Sequence, residues 1–265
     1  MTPEQLLRHY DEALLWSPAE AEQMGTDVAQ AYQKALAVRQ LRLARGEQAR
    51  GFKIGFTNRS IWQRYAVFGP IWGTVWNTTL THSDDAAQVS LAKTCQARLE
   101  PEVVFGMKTR PPVGASVEAL FDCIEWVAPG VEIVQSHAPD WKFNAAMTVA
   151  DGGLHAHLVV GQKTPLDLVA SSAQSLNAVL ANCRVSLHQN GQLAECGQGS
   201  NVLDSPLLAL HHFLQELHQC PGAPLLQAGD VVTTGTWTDA WPVLKGETWR
   251  ANFDAPLPQL QVNFQ

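Results

Sequence analysis

The sequence has few charged residues and no concentrated positive charge. Only 16% of its 265 residues are charged, the formal net charge is -7, and Lys and Arg form no dense cluster. A nucleic-acid partner is therefore not expected, because such proteins present a basic surface. The chain also lacks an uncharged apolar run near the roughly 20 residues that cross a bilayer. Glu4, Arg8 and Asp11 interrupt any apolar core near the start, so we expect no signal peptide.

Cysteine is scarce as well. The five cysteines are odd in number and lack the close paired spacing of a disulfide framework or a zinc knuckle. We therefore expect reduced thiols and a cytoplasmic protein. Hydrophobic residues make up 46% of the chain, which is enough to bury a proper core. The length fits one large domain or a domain with an extension, and no repeat or interdomain linker is visible.

Two glutamates occur in a segment that favours a β-strand. Residues 103–105 are β-branched or aromatic, and Pro101 disfavours a helix interior. In a strand, Glu100 and Glu102 would point to the same face. Adjacent like charges are unfavourable unless something neutralises them, and a hard cation such as Mg²⁺ or Mn²⁺ would do so. A solvated strand edge is the alternative interpretation.

A third glutamate interrupts an apolar run. Glu132 lies within residues 127–134, which are otherwise apolar and rich in β-branched side chains. A buried, unpaired carboxylate costs several kcal/mol, so it needs a cation or an Arg/Lys partner. Glu125 is a second candidate, but we predict a helix over 117–126 and therefore prefer Glu132.

Other patterns predict the remaining elements. A capping box at residues 2–5 predicts a helix to about residue 15, with a restart at 17 and a further helix over about 26–46. The later predictions are helices over 166–181 and 205–218, a hairpin over 184–196 that turns at Asn190-Gly191, and strands over 246–253 and 257–264.

Motifs along nearly the whole chain resemble one branch of a known superfamily. The matching segments are GFKIGFT at 51–57, EPE at 100–102, IEWV at 124–127, VEIV at 131–134, DW at 140–141, VAD at 149–151, GDVV at 229–232 and TG at 234–235. In this order they are similar to the 2-oxopent-4-enoate hydratases and 4-oxalocrotonate decarboxylases of the fumarylacetoacetate hydrolase superfamily.

The resemblance implies a fold and an assembly. It implies a mixed α+β protein, a rolled β-sandwich preceded by a helical N-terminal layer. We interpret residues 1–48 as that layer and 49–265 as the catalytic β-rich domain, the two forming one continuous unit. A homo-oligomer is also implied, and pairing with other enzymes of the same catabolic pathway is a further expectation.

The resemblance also implies a metal-dependent lyase. Glu100, Glu102 and Glu132 would hold one Mg²⁺ or Mn²⁺, and a small 2-oxo or 2-hydroxydienoic acid would chelate it. The metal would act as a Lewis acid, and water would add to the distal double bond through a metal-bound enolate. Lys53 and Arg98 are the expected catalytic residues. The expected substrate-binding residues are Gly73, Asn77, Asp151, Ser200, Thr234 and Gly235.

Several alternatives stay open. A lysine flanked by apolar residues, like Lys53, often extends its amine to water instead. Decarboxylation of a 4-oxalocrotonate-type acid needs a place for a second carboxylate, which Arg98 or Lys142 could supply. Arg98 could equally neutralise the glutamates, and a metal-binding homologue without turnover is a third possibility.

Some residues depart from the family pattern or allow two interpretations. Relatives usually carry an acidic residue at Asn77, Asn at Gly152 and often His at Ser205, which leaves the reaction open. His155 and His157 are expected to share a strand face, as metal ligands by spacing or, more commonly, as a polar face. Trp237 and Trp241 would either narrow the pocket or pack in the core.

Overall fold

The computed structural model describes residues 1–65 and 67–265. In this part of the chain the α-helices are α1 Pro3–Glu12, α2 Pro18–Glu22, α3 Val28–Ala44, α4 Trp62–Tyr65, α5 Val117–Phe121, α6 Ala145–Ala150, α7 Leu166–Val169, α8 Ala173–Asn182 and α9 Pro206–Gln219. Short 3₁₀ helices span Arg59–Ile61, Pro139–Trp141, Gly152–Leu154 and Gly199–Asn201.

The strands alternate with these helices along the chain. They are β1 Ala49–Gly55, β2 Ile71–Trp76, β3 Leu80–His82, β4 Ala86–Val89, β5 Arg98–Met107, β6 Ile124–Val134, β7 His155–Val160, β8 Thr164–Pro165, β9 Arg184–Gln189, β10 Gln192–Gln198, β11 Val231–Thr233, β12 Trp241–Pro242, β13 Thr248–Phe253 and β14 Leu260–Phe264.

The strands form two mixed sheets. The larger has the order β2-β1-β11-β5-β6-β7-β3, with β12 added to β5 and β8 to β6; the smaller has the order β10-β9-β13-β14-β4. Side chains from both sheets and from α5, α8 and α9 join in one large apolar core. The predicted mixed α+β class is therefore confirmed, and β5 and β6 lie in the interior of the larger sheet.

Capping side chains start the N-terminal helices as the sequence predicts. At α1 the backbone N–H of Gln5 donates to the Thr2 hydroxyl, and the Gln5 side chain accepts from the Thr2 backbone. Ser17 and Glu20 repeat this arrangement at α2. Helix α3 packs on α1 and α6, and four residues connect its end to the start of β1. The division at residue 48 falls within this connection and stays an interpretation.

Two predicted helices differ from the structure. The helix predicted over 117–126 ends at Phe121, and Glu125 is an exposed residue of β6. Long-range pairing of β6 with β5 prevails there over the local helical pattern. The helix predicted over 166–181 is divided into α7 and α8, because Ser172 caps a new helix. The hairpin is confirmed, with Asn190 and Gly191 both at positive φ as its two-residue turn requires.

Other features agree with the composition. All five cysteines are free thiols. Within the described residues, no helix has both the length and the apolar character to cross a membrane.

Candidate metal centre and active site

The register of two central strands brings three carboxylates together. Glu100 on β5 lies directly opposite Glu132 on β6, and Glu102 follows two residues along the same face of β5. One carboxylate oxygen from each lies within 4.8 Å of the others. Glu102 and Glu132 are 0% exposed, whereas Glu100 is half-buried. The predicted solvated strand edge is therefore wrong.

In each of the two fully buried glutamates, one carboxylate oxygen accepts a hydrogen bond and the other does not. The backbone N–H of Gly235 donates to Oε2 of Glu102 at 2.7 Å, and Nδ1 of His155 lies 2.8 Å from Oε1 of Glu132. Among the described residues, Oε1 of Glu102 accepts no hydrogen bond, and Oε2 of Glu132 is ion-paired with the Lys53 ammonium at 3.2 Å but accepts no other donor. Buried oxygens without donors are costly unless a cation reaches them. The trio thus fits a hard divalent cation held through single carboxylate oxygens.

Burial and mutual repulsion change the protonation of the trio. Burial raises the pKa of Glu100 to about 7, and the charge of Glu132 adds to this effect. Burial, together with Glu132 and Glu100, raises the pKa of Glu102 well above its ordinary value. Burial alone would raise the pKa of Glu132 too, but Lys53 and His155 outweigh it and lower that pKa. A bound cation would replace the protons on Glu100 and Glu102.

Lys53 on β1 is the cation that the protein itself supplies. It is 3% exposed; its Nζ donates to the Gly153 carbonyl at 2.8 Å and lies 3.2 Å from Oε2 of Glu132. Burial lowers its pKa, but the charges of the glutamates outweigh burial and raise it. The ammonium is therefore buried and ion-paired, and the sequence-based alternative of an amine extended to water is wrong.

A cavity of about 250 Å³ opens above Glu100 and Lys53. Gly153 and Gly235 complete its base, so the Lys53 amine and the Glu100 carboxylate are reached from this side. The cavity is also lined by Arg98, which lies two residues before Glu100 on the same face of β5. Small acids of a few carbon atoms fit such a volume.

Four aromatic side chains form one wall of this cavity. Phe56 stacks on Tyr65 and Tyr65 on Phe143, with centroid separations of 5.1 and 5.6 Å. Trp141 packs against Phe143 at 6.0 Å, and the Arg98 guanidinium lies 4.2 Å from the Trp141 ring centroid. We call these four rings the aromatic wall.

The backbone is strained where it presents this wall. Phe56 and Trp141 have φ values of 54° and 57°, and Leu154, which also lines the cavity, has a φ of 65°. Bulky residues rarely adopt left-handed conformations, which cost of order 1–3 kcal/mol each. Tertiary packing thus holds these side chains in the cavity against local preference, and such strain is typical of functional sites.

Comparison with known proteins decides the family. Residues 62–262 match the family described as fumarylacetoacetate (FAA) hydrolase C-terminal. The chain belongs to the fumarylacetoacetate hydrolase family. It is 33% identical over 228 residues to 2-hydroxyhexa-2,4-dienoate hydratase of Comamonas testosteroni, a match that covers 83% of this chain and 80% of that protein.

Other family members extend the comparison. The chain is 27% identical to 4-oxalocrotonate decarboxylase of a Pseudomonas species, covering 89% of this chain and 88% of that protein. Among solved structures, 4-oxalocrotonate decarboxylase of Pseudomonas putida G7, complexed with magnesium and adipate, superposes with a TM-score of 0.87. That match has 23% identity and covers 100% of this chain and 99% of the other. It confirms the fold expected from the resemblance.

The structure places only some of the family positions at the cavity. Gly235 lines it, whereas Thr234 is buried and donates its hydroxyl to the Val103 carbonyl. Ser200 follows two glycines, Gly197 and Gly199, that pack closely on the Trp237 and Leu180 backbones, and it does not line the cavity.

Three further predicted positions lie away from the cavity. Asn77 is exposed at the far end of β2, where its side chain accepts from the Gln48 backbone. Asp151 binds buried His137 through both carboxylate oxygens, at 2.5 and 3.0 Å. Gly73 allows the Gly152 carbonyl to approach where a side chain would clash, so it supports the turn below Lys53. Asp151 and Gly73 line a separate cavity of about 60 Å³ against α1 and α3.

The positions of Lys142, Trp237 and Trp241 bear on two of the open alternatives, the anchor for a second carboxylate and the narrowing of the pocket by tryptophan. Lys142 is a poor anchor for a second carboxylate, because its side chain is 81% exposed and pairs with Asp140. Trp237 is 1% exposed and belongs to the core, while the Trp241 indole donates to Glu195 outside the cavity.

The sequence interpretation missed several residues that shape the site. Gly153 supplies the carbonyl that holds Lys53, and Phe56, Tyr65, Trp141 and Phe143 form the aromatic wall. The wall residues lie on loops or on the short helices between strands, where no periodic pattern indicates which way a side chain points. The DW segment at 140–141 was their one visible signal.

Proposed function

We propose that this protein is a metal-dependent hydratase, a lyase that adds water to a short 2-hydroxydienoic acid. The observation that carries the proposal is the buried trio, whose Glu100 lines the cavity, with an oxygen of Glu102 that has no donor and an oxygen of Glu132 that meets only the Lys53 ammonium. Names of family members, including the hydratase 33% identical to this chain, support the same reaction class. Glu100, Glu102 and Glu132 hold one divalent cation, Mg²⁺ or Mn²⁺, since these ions prefer carboxylate oxygens.

The side chains of the cavity have separate tasks. A divalent cation held by the trio would supply Lewis-acid stabilisation of the negative charge that develops on the oxo-acid end of the substrate. Lys53 moves the proton between the enol and keto forms of the substrate, since its Nζ points into the base of the cavity. Gly235 fixes Glu102 through its N–H. The aromatic wall packs against the apolar diene and limits access of bulk water.

Substrate turnover tests this proposal directly. The protein is mixed with Mg²⁺ and 2-hydroxypenta-2,4-dienoate, and loss of the diene absorbance is followed. We expect metal-dependent loss with formation of a 4-hydroxy-2-oxo acid and no release of CO₂. Tight metal binding without any loss of the diene would instead identify a homologue that has lost turnover.

A decarboxylase is the second candidate, and Arg98 is the observation that favours it. Its guanidinium lies in the cavity against Trp141 and, within the described residues, forms no hydrogen bond. A guanidinium with free donors can bind a second carboxylate. Release of CO₂ from a 2-oxo dicarboxylic acid, with Arg98→Leu abolishing that release, would support this activity over hydration.

The surroundings of the enzyme are also part of the proposal. We propose a cytoplasmic homo-oligomer, consistent with five free cysteines. It would share a catabolic pathway with other enzymes that act on the same acids. Size-exclusion chromatography with light scattering would test the oligomer, and a monomer at all concentrations would contradict it.

A further inference from the structure

A bulge in β7 separates two histidines that simple alternation would place on one face. In the pairing of β6 with β7, Ile133 lies opposite His157 and Val134 lies opposite His155, so Ala156 is an extra residue. An extra residue shifts the alternation of side chains by one position. His155 therefore joins the face of Glu132, and the predicted shared face of His155 and His157 is wrong.

The bulge aims His155 at one oxygen of Glu132. Nδ1 lies 2.8 Å from Oε1 of Glu132, and Nε2 lies 2.8 Å from the Thr79 hydroxyl. A carboxylate only accepts hydrogen bonds, so Nδ1 carries the proton and Nε2 accepts from Thr79. His157, in contrast, contacts Thr81 and does not touch the trio.

The hydrogen-bonded series of side chains Thr79, His155 and Glu132 is buried and fixed at both ends. Thr79 is 5% exposed, His155 3% and Glu132 0%. The Trp76 backbone N–H donates to the Thr79 hydroxyl at 3.1 Å, and this hydrogen bond fixes the Thr79 side chain to the end of β2. Because both nitrogens of His155 have partners, its ring is not available as a metal ligand.

We propose that Thr79 and His155 form a positioning pair that engages Oε1 of Glu132 and so presents Oε2 to a divalent cation. The inference rests on the metal site of the proposed function. It assigns His155 the task of setting which oxygen of Glu132 binds the ion and in which direction. Partners that orient a metal ligand in this way typically contribute 10- to 100-fold to affinity.

Three variants of the full chain test this role. Dissociation constants for Mg²⁺ and Mn²⁺ are measured by calorimetry, and thermal unfolding without metal is recorded for each variant. We expect His155→Phe to weaken binding by roughly 10- to 100-fold. His155→Asn should recover most of that affinity, because its amide nitrogen can replace Nδ1. His157→Phe, the matched control on the opposite face, should bind within about threefold of the unaltered protein.

Each outcome of the series supports or overturns the positioning role of His155. Unchanged affinity of His155→Phe, an equal loss in His155→Asn, or an equal loss in His157→Phe would overturn the positioning role. If His155→Phe does not fold, Thr79→Val replaces it; a smaller loss of affinity supports the role and an unchanged affinity overturns it. Metal binding without hydration of the dienoate would contradict the proposed function alone, whereas no binding by the unaltered protein would overturn both.

Discussion

The base of the cavity consists of side chains on β1, β5 and β6, whereas the aromatic wall comes from loops and short helices between strands. The base is charged, almost completely buried and fixed by strand register, as the direct pairing of Glu100 with Glu132 shows. The wall is apolar and contains residues held at positive φ, including Phe56 and Trp141. Under the proposed function, chemistry that needs fixed distances thus lies on the sheet, and the surface that would meet the rest of the substrate lies on segments that tolerate change.

The largest effect should come from removing one ligand at the base. We expect Glu102→Gln to weaken Mg²⁺ binding by more than roughly 100-fold, beyond the loss typical of a supporting residue. The fold should persist, because the amide can still accept from Gly235 and one buried repulsion is removed. Calorimetry and thermal unfolding measure the two effects. Glu125→Gln, an exposed change on β6, is the control, and intact Mg²⁺ binding by Glu102→Gln would contradict the assignment.

Loss of the buried amine should separate catalysis from metal binding. For Lys53→Met we expect metal affinity to be retained or increased, since a neighbouring cation is removed. Turnover should fall by roughly 10²- to 10⁴-fold, the usual contribution of a proton-transferring group. Exposed Lys142→Met serves as the control, and unchanged turnover in Lys53→Met would remove that residue from the mechanism.

Metal binding should depend on pH because two carboxylates at the base of the cavity, Glu100 and Glu102, have raised pKa values. The pKa of Glu100 is raised to about 7 and that of Glu102 lies well above its ordinary value, so both compete for protons with the metal. Affinity should fall as the pH drops from 8 to 6, with protons released on binding. Calorimetry in buffers of different ionisation enthalpy counts these protons. An affinity independent of pH in this range would contradict the raised pKa values.

The raised pKa of Glu100 also predicts how the stability of the metal-free protein changes with pH. The folded-state pKa of Glu100 lies above its unfolded value, so the folded state binds more protons between those values. Its contribution to stability is complete below the unfolded pKa and is lost as the pH rises to about 7. Added Mg²⁺ should restore stability at pH 8, as measured by thermal unfolding.

The smallest effect should come from the wall. We expect Trp141→Ala to raise KM for a dienoate by roughly 2- to 12-fold, the equivalent of 0.5–1.5 kcal/mol for an aromatic contact. Metal affinity should not change, because Trp141 does not contact the trio. Steady-state kinetics measure the effect, with Trp241→Phe outside the cavity as the control. A loss of metal binding in Trp141→Ala would mean that the aromatic wall contributes to metal binding at the base of the cavity, and would contradict the division of tasks between them.

The same division explains what the sequence could predict. The like-charged pair Glu100 and Glu102 and the isolated Glu132 stand out in apolar strands, because buried charge needs a partner. The helix caps at Thr2 and Ser17 and the turn at Asn190-Gly191 follow from local chemistry, and they are confirmed.

What the sequence did not reveal depends on distant pairing. The bulge at Ala156 is defined only by pairing with β6, and it reverses the expected face of His155. Pairing with β5 likewise turns Glu125 from a predicted helix into β6. Family resemblance placed Asn77 and Asp151 at the substrate, but their side chains engage Gln48 and His137 instead.

The central claim is that three carboxylates from two neighbouring strands hold one divalent ion at the base of this cavity. Crystals of the protein soaked in Mn²⁺ test it through the anomalous scattering of the metal. We predict one strong peak in contact with an oxygen of each of Glu100, Glu102 and Glu132. A peak elsewhere, or none at the trio under conditions in which the unaltered protein is saturated, would contradict it.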